Sequence, residues 1–477
     1  MNQSIAKGTL YLGMAQLLFL ISSYAIHIGL GRMLGPELYG MYAVVVSLVT
    51  VVNLILTTGI PRTVSKFTSE RPDLAKSILK TAGKLQLCLS LLIFALYFIL
   101  ASFLAEILKD CSLTTLIRVS SIMIPIYAIF SLYTGYFNGL RDYRNQSVIS
   151  AVYSISKIAL IFGLVLMGFS VFGAVLGFAI SPAAGLLIAV AIASFPIRTS
   201  EYIGYSKIIK FALPVIVLSV LLNFSTSVDL LVLKAIVRDS QEVGYYSAAS
   251  MISKVPFTLL GALNMALFPA VSSLTYLNDL QKTREYIQES FRYLLIFLVP
   301  ATAFIFVTAT EFISLLYSPK YVEGGEPLRV LIIGILFFSV FAYFLNIVVA
   351  SGKASLAAGF SVFISVLSAI LNFTFIPVFG MTGAAIAVTI ASFISMLAIL
   401  TFVIMEFGSV IPLKSLAKVI LSTIAAASAL YFRCSGPLLL GQYIVAFVAY
   451  FALLWAVREI NERDVIRLKR LMFRRGS

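Results

Sequence analysis

The chain has 477 residues, of which 60% are hydrophobic and only 12% are charged, and its formal net charge is +15. An average soluble domain carries about twice that charged share, so this composition excludes an ordinary water-facing surface. The apolar stretches are continuous, which excludes a barrel built from short alternating strands. We therefore predict an all-α polytopic membrane protein.

Twelve long segments without Asp, Glu, Lys or Arg follow one another along the chain. They cover 8–31, 38–61, 85–105, 119–140, 158–197, 211–228, 255–278, 293–310, 330–352, 354–405, 419–432 and 434–457. The segments 158–197 and 354–405 are too long for one crossing of a hydrocarbon core of about 30 Å. Each has a natural break, at Gly168-Phe169-Ser170 and around Pro377 to Gly380, and is predicted to form a helical hairpin. The total is then about fourteen transmembrane helices.

The basic residues are concentrated in alternate connections. Connections after even-numbered spans, together with the C-terminal tail, hold Arg62, Lys66, Arg71, Lys76, Lys80, Lys84, Arg141, Arg144, Lys207, Lys210, Lys282, Arg284, Lys353, Lys414, Lys418, Arg458, Arg463, Arg467, Lys469, Arg470, Arg474 and Arg475. Odd-numbered connections are short or mix both signs, as in Glu106-Lys109-Asp110. Because cytoplasmic loops carry the excess of Lys and Arg, we expect both termini to lie in the cytoplasm and the protein to occupy the cytoplasmic (inner) membrane. The charge follows topology, so no nucleic-acid partner is predicted.

Two pairs of similar segments indicate an internal repeat. GPELYGMYAVV at 35–45 resembles DSQEVGYYSAA at 239–249, and FGAVLGFAIS at 172–181 resembles TGAAIAVTIA at 382–391. Both pairs occur at matching places within a six-span unit. Because transporters are often built from such repeats, the pattern favours two pseudosymmetric six-helix lobes around a central cavity.

The repeat sets the predicted domain boundaries. We predict an N-terminal six-helix lobe at 1–200 and a C-terminal six-helix lobe at 201–406. Two additional transmembrane helices and a basic cytoplasmic tail occupy 407–477. The polar segment 198–206 is expected to be the cytoplasmic linker between the lobes.

Few ionisable residues lie at membrane depth, and each is a functional hypothesis because burying a charge in the bilayer is costly. Lys254 in span eight and Lys157 in span five lie near the predicted midplane, where a cavity-facing role and a snorkelling or paired role both remain open. Asp229 in span seven corresponds, through the repeat, to the neighbourhood of His27 in span one. Asp229 is expected either to face the cavity or to pair with the nearby Lys234 or Arg238. His27 is expected either to carry a proton or to be a hydrogen-bonded interior residue.

Other polar residues are weaker candidates for contact with a substrate. Arg32 and Arg62 lie at the two ends of the first helical hairpin, where each is expected to meet a phosphate group of either a substrate or a lipid headgroup. Asn53 and Asn264 place amides inside spans, where they either line a hydrophilic path or hold helices together. These residues complete the predicted substrate-binding set.

The motifs for catalysis and cofactors are missing from the sequence. Three cysteines and one histidine show no metal-ligand spacing, so no metal site is expected. No GxxxxGK[ST] loop occurs, which argues against primary ATP-driven transport. We predict no cofactor.

Several segments together resemble one family. They are GPELYG at the start of span two, DLLVLKAIVRDSQEVGYY from Asp229 to Tyr246, the early Gly59-Ile60-Pro61-Arg62, and the two appended spans. The whole chain looks like a polysaccharide (O-antigen type) flippase of the multidrug/oligosaccharidyl-lipid/polysaccharide exporter superfamily.

The resemblance implies a V-shaped cavity that opens alternately to the two membrane faces, and a polyprenyl-phosphate- or pyrophosphate-linked glycan as substrate. Lys254, Lys157 and Arg62 would then be counter-charges to the phosphates, and Asp229 with His27 would couple transport to an ion. Lipid-linked glycan and membrane lipids are the implied partners, with a glycan polymerase or glycosyltransferases as further ones.

Three alternatives stay open. A cation-coupled multidrug exporter is similar in fold but typically has twelve spans and acidic cavity residues, whereas this chain has two further spans and midplane lysines. A lipid II flippase shares the fourteen spans and a cationic cavity. A membrane-embedded polysaccharide polymerase is more remote, because it would need a large outer loop and every outer connection here is short.

Overall fold

The computed structural model describes residues 5–193, 204–224, 228–258, 267, 271–275, 277, 279–430 and 436–460. Every regular element among these residues is a helix, which confirms the predicted all-α class. The chain divides into two compact units, Met1–Gly244 and Tyr245–Ser477. The predicted boundaries after residues 200 and 406 stay predictions.

The first unit contains eleven helices within its described residues and the start of a twelfth. They are α1 (Ile5–Thr58), α2 (Ile60–Glu70), α3 (Ala75–Ile99), α4 (Ala101–Ile107), α5 (Leu113–Ser120), α6 (Met123–Gly139), α7 (Tyr143–Leu164), α8 (Ser170–Ile180), α9 (Pro182–Ala193), α10 (Tyr205–Phe224), α11 (Val228–Val237) and α12 (Ser240–Ser253). Buried aromatic and aliphatic side chains of α2, α3 and α6 form its principal core.

The second unit begins within α12 and continues with seven helices among the described residues. They are α13 (Val255–Thr258), α14 (Leu280–Val307), α15 (Ala309–Leu316), α16 (Gly325–Ala350), α17 (Ala354–Phe407), α18 (Leu413–Ala427) and α19 (Leu438–Ala456). One core cluster joins α14, α16 and α17, and a second joins α14 to α18 and α19. The helices of the two appended spans therefore pack on α14.

Both predicted helical hairpins are confirmed. The backbone leaves the helical region at Gly168, with φ of 92°, and at Gly380, with φ of 54°. Only glycine adopts such angles without strain, and the chain reverses at each point. In the first hairpin Gly177 of α8 packs against the backbone of Ile161 in α7. In the second, the two ends of α17 are joined by an ion pair.

That ion pair connects Lys353 to Glu406, with 2.6 Å between the ammonium nitrogen and the carboxylate oxygen. The helix α1 also contains a break, at Gly35 with φ of 78°, between the first two predicted spans. Thus three of the longest helical stretches each correspond to a pair of predicted spans.

Nine helical stretches within the described residues are long and apolar enough to cross a membrane. Their outward faces carry large hydrophobic side chains, among them Leu166 and Met405, which are 76% and 81% exposed. Exposure of this kind is stable only against lipid, so the chain is a multi-pass membrane protein. The count of fourteen stays a prediction.

Candidate functional site

Lys157 lies near the middle of the helical stretch that α7 begins, and only 7% of the residue is exposed. The hairpin folds α8 back along α7, which brings Phe178 to one side of the lysine. Phe19 of α1 lies on another side. The ammonium nitrogen is 5.1 Å from the Phe178 ring centroid and 5.7 Å from the Phe19 ring centroid.

Within the described part of the chain, the positive charge of Lys157 has no anionic partner. No ion pair or hydrogen bond there involves its ammonium group, whose described contacts are the two aromatic rings. Cation–π contacts supply about 0.5–2 kcal/mol, whereas moving an ammonium group out of water costs several kcal/mol. Lys157 therefore offers a desolvated positive charge at mid-span that an anionic group would neutralise.

Lys254 lies where the helix is interrupted. It follows the last residue of α12, precedes α13, and stands two positions before the buried Pro256. The residue is half-buried, and no side-chain partner is found for it within the described part of the second unit. Proline removes a backbone donor and breaks the helix, so Lys254 lies at the interruption between α12 and α13.

His27 and Asp229 both lie within the first unit. His27 Nδ1 is 2.9 Å from the hydroxyl oxygen of Tyr39, and its ring contacts the rings of Tyr39 and Tyr42 edge-on. This arrangement favours the hydrogen-bonded interior alternative for His27. Asp229 is in the first turn of α11 with 7% of the residue exposed, and α11 packs on α1.

Arg32 and Arg62 are both exposed. Arg32 precedes the break at Gly35, and Arg62 lies in the first turn of α2, directly after the buried Pro61. Both side chains are at ends of helical segments, where a phosphate group of either source has access. The structure does not bring them to Lys157 through any described contact.

Asn53 is buried, with 3% of the residue exposed, and neither atom of its amide finds a hydrogen-bond partner within the described residues. One turn further along the same helix, the carbonyl oxygen of Leu56 accepts a hydrogen bond of 2.7 Å from Nε2 of Gln86, a residue of α3. The same nitrogen donates to the carbonyl oxygen of Ala128 at 3.1 Å. The Gln86 oxygen is also unsatisfied. Sequence reasoning missed Gln86, although it lies early in an uncharged run.

Asn264 lies outside the described residues, as do the linker positions 198–203 and the tail after residue 460.

A family model described as "Polysaccharide biosynthesis protein" matches residues 5–275, which is more than half of the chain. The chain belongs to this polysaccharide biosynthesis protein family. A second model, MatE, matches residues 214–374. Together with the fold comparisons that follow, these matches make the chain a transporter of the multidrug/oligosaccharidyl-lipid/polysaccharide exporter (MOP) superfamily.

Three known membrane proteins are similar to the chain in sequence or fold. An uncharacterized membrane protein of Methanocaldococcus jannaschii is 23% identical over 84% of this chain and 98% of its own length. The lipid II flippase MurJ, in an inward closed conformation, covers 97% of this chain and 100% of its own, with a TM-score of 0.79 and 16% identity. An inward-facing multidrug resistance MATE family transporter of the MOP superfamily covers 84% and 98%, with a TM-score of 0.71 and 16% identity. These two structures show the fold.

This family member contains a second buried lysine that sequence reasoning did not assign to a site. Lys234 of α11 is fully buried and donates three hydrogen bonds: to Asp110 Oδ2 at 2.8 Å, to the carbonyl oxygen of Arg238 at 2.8 Å and to Ser240 Oγ at 2.6 Å. An ammonium group has three donors, so none is left for Asp229. The described hydrogen bonds of Lys234 therefore disfavour an Asp229–Lys234 pair, and the Asp229–Arg238 alternative stays a prediction.

The carboxyl group of Asp110 lies outside the spans, and its pKa reflects two opposing effects. Burial raises the pKa. Hydrogen bonds from Lys234 and Ser112, with the positive charge of Lys234, outweigh burial and hold the pKa below its usual value. Asp110 is therefore ionised at neutral pH, and its charge neutralises Lys234.

Proposed function

We propose that the chain is a flippase for polyprenyl-phosphate- or pyrophosphate-linked glycans, and that it moves them across the cytoplasmic membrane by alternating access. Both termini would lie in the cytoplasm, and the chain would catalyse no chemical step. Membership of a family described as polysaccharide biosynthesis proteins supports the substrate class. The transporter fold supports movement across a membrane.

The observation that carries the proposal is the uncompensated charge of Lys157. A glycan lipid presents a phosphate or pyrophosphate between its apolar tail and its sugars. Its passage needs a positive charge inside the membrane that is not already neutralised by the protein. Lys157 meets that requirement. Only 7% of the residue is exposed, its ammonium group lies against aromatic rings, and no carboxylate among the described residues contacts it.

The other predicted residues receive secondary roles in this proposal. Lys254 would contact the phosphate at a second stage, and Arg32 and Arg62 would meet it near the membrane faces. Asn53 and Asn264 would donate hydrogen bonds to phosphate or sugar. Coupling to an ion would involve Asp229 and His27, and a glycan polymerase or glycosyltransferases would supply or consume the glycan.

Reconstitution tests the proposal directly. The purified protein is placed in liposomes that contain a fluorescent polyprenyl-pyrophosphate oligosaccharide, and a membrane-impermeant quencher reports which leaflet holds the label. Wild-type protein is expected to increase the quenchable fraction with time, whereas Lys157→Met is expected to leave it near the protein-free level. Lys282→Met is the matched control, because Lys282 has a 70% exposed side chain at the start of α14.

Other outcomes would overturn the proposal or narrow it. No transfer of the glycan lipid, together with extrusion of cationic dyes under an ion gradient, would assign the chain to multidrug export. Transfer of lipid II but not of other glycan lipids would make it a lipid II flippase. Equal transfer by Lys157→Met and wild type would remove Lys157 from the site while leaving the transport activity in place.

A further inference from the structure

The two motifs of the internal repeat pack directly on one another within the first unit. Gly40 of the first motif contacts the backbone of Ser240, and Gly244 of the second contacts the backbone of Pro36. In the repeat alignment Pro36 corresponds to Ser240, and Gly40 corresponds to Gly244. The Gly40–Ser240 contact is therefore the repeat equivalent of the Gly244–Pro36 contact. A Cβ atom at either glycine would overlap a backbone carbonyl oxygen, so the approach depends on glycine.

The Lys234–Asp110 ion pair closes the same region. Ser240, which Gly40 contacts, also accepts a hydrogen bond from Lys234 at 2.6 Å, and its hydroxyl lies 3.3 Å from Asp110 Oδ2. The single residue Ser240 therefore belongs both to the repeat contact and to the ion pair. Asp110 is far away in sequence, 124 residues before Lys234.

Local backbone structure presents Asp110 to this cluster. At the end of α4, the Lys109 amide donates to the Glu106 carbonyl oxygen and the Asp110 amide donates to that of Ala105. Lys109 takes a left-handed conformation with φ of 55°, which ends the helix. Asp110 lies in one of the odd-numbered connections between predicted spans, which the distribution of basic residues predicts to be on the outer face of the membrane. The cluster thus lies at one membrane face.

Transporters built from repeats expose their substrate site by moving one repeat against the other. Solved structures with this fold include inward closed, inward-facing and outward-facing conformations. A contact that joins the two repeats at one membrane face separates when that face opens. Here it is formed by close backbone contacts and one ion pair.

We propose that Asp110, Lys234 and Ser240, together with the Gly40–Gly244 contact, form a latch that holds one membrane face closed and opens during the transport cycle. The latch would open and close in the same way for any substrate that the transporter carries, whether lipid-linked or not. Its experimental test therefore requires no substrate, and it is independent of the glycan assignment.

Distance measurement by double electron–electron resonance tests the latch. Nitroxide labels are attached at Lys109→Cys and Asp239→Cys, two exposed positions beside Asp110 and Ser240, after the native cysteines are replaced by serine. The protein is reconstituted in lipid nanodiscs. In the otherwise unchanged protein, the distance between the two labels is expected to be mainly a single short one. In the Asp110→Asn variant, a second population with a longer distance between the labels is expected. Asparagine keeps an oxygen for Lys234 but lacks the charge, so the fold should persist.

Gly244→Ala is the second variant, and it is expected to add the same longer distance because its Cβ atom displaces the Pro36 backbone. Two matched controls should leave the distance unchanged. Glu406→Gln breaks an ion pair of similar length inside the α17 hairpin, and Gly359→Ala adds a methyl group where no atom lies within 4 Å. A single short distance in both latch variants, or the same longer distance in the controls, would overturn the proposal.

Discussion

Two lysines are buried in the first unit, and their surroundings differ in kind. Lys234 is fully buried and gives each ammonium proton to an oxygen, one of them on a carboxylate. Lys157 is almost as deeply buried, yet it contacts only aromatic faces and has no carboxylate among its described neighbours. Removing one partner of a buried ion pair leaves an uncompensated charge and is costly, whereas a lysine at membrane depth with no described carboxylate is a candidate for a functional role. The comparison separates the proposed latch from the proposed substrate site.

The largest effect is expected for Lys234→Met. The substitution leaves the Asp110 carboxylate, the Arg238 carbonyl and the Ser240 hydroxyl without their shared donor. Removing one partner of a buried ion pair costs about 3 kcal/mol, somewhat less here because the Asp110 side chain is 19% exposed. The midpoint of thermal unfolding in detergent should fall clearly. The double variant Lys234→Met/Asp110→Leu should recover part of the loss, and equal midpoints for Lys234→Met and wild type would contradict the contact.

Lys157→Met should show the opposite pattern. Stability is expected to stay constant or rise, because an uncompensated charge leaves the membrane interior. Transport is expected to fall about 10- to 100-fold, since a hydrogen bond to a charged group contributes roughly 1.5–3 kcal/mol. Flipping and thermal unfolding are measured on the same preparations. Lys157→Arg, which keeps the charge, should retain more transport than Lys157→Met, and a destabilised but active Lys157→Met would reverse the assignment.

A third buried charge cluster extends the comparison to the second unit. Glu459, of which 4% is exposed, accepts hydrogen bonds from Arg292 of α14 through its side chain, at 2.6 Å, and through its backbone carbonyl. Lys418 of α18 lies 3.3 Å from the other carboxylate oxygen. Glu459→Gln should cost about 1–2 kcal/mol of stability and loosen the last two helices from α14. Transport should change much less than in Lys157→Met.

The difference in stability between wild type and Glu459→Gln should depend on pH in a way that follows from the pKa of Glu459. Burial raises the pKa, but Ser415, Arg292 and Lys418 together hold it below its usual 4.5. A lowered folded-state pKa contributes stability above the unfolded-state value and loses it as the pH falls through the folded-state value. The difference between wild type and Glu459→Gln should therefore be constant at neutral pH and shrink only below 4.5. A difference that already shrinks near neutral pH would show that Glu459 is not ion-paired.

The smallest effect is expected for Asn53→Leu. The Asn53 amide is buried with both polar atoms unsatisfied among the described residues, and such a group costs about 1–3 kcal/mol. Leucine of similar size should raise the unfolding midpoint slightly. If Asn53 contacts the substrate, flipping should also fall a few-fold. Raised stability with unchanged flipping would leave Asn53 outside the site.

The sequence predicted the features that depend on local patterns. Uncharged runs marked the helices, and glycine within two of those runs marked the hairpin turns at Gly168 and Gly380, because both signals lie within a short segment. The same reasoning found Lys157, since the residue interrupts an apolar stretch. The repeat comparison found the glycines 40 and 244 but not that they touch one another.

The features that the sequence did not predict depend on distant pairs. Lys234 appeared to have Asp229 as its neighbour, because the two are close along α11, whereas its partner Asp110 comes from a connection 124 residues earlier. Gln86 looked like one more polar residue in a span, since its acceptors are backbone carbonyls of two other helices. Charge pairing across a helical bundle follows from tertiary packing, which periodicity and composition do not encode.

The most direct test of the central claim measures binding of a polyprenyl-pyrophosphate lipid to purified protein. Wild type and the exposed-lysine control Lys282→Met should bind with the same Kd. Lys157→Met should bind at least about tenfold more weakly, because the lost charge-assisted contact contributes 1.4 kcal/mol or more. Equal affinity of Lys157→Met and wild type would contradict the claim that this uncompensated lysine binds the phosphate group.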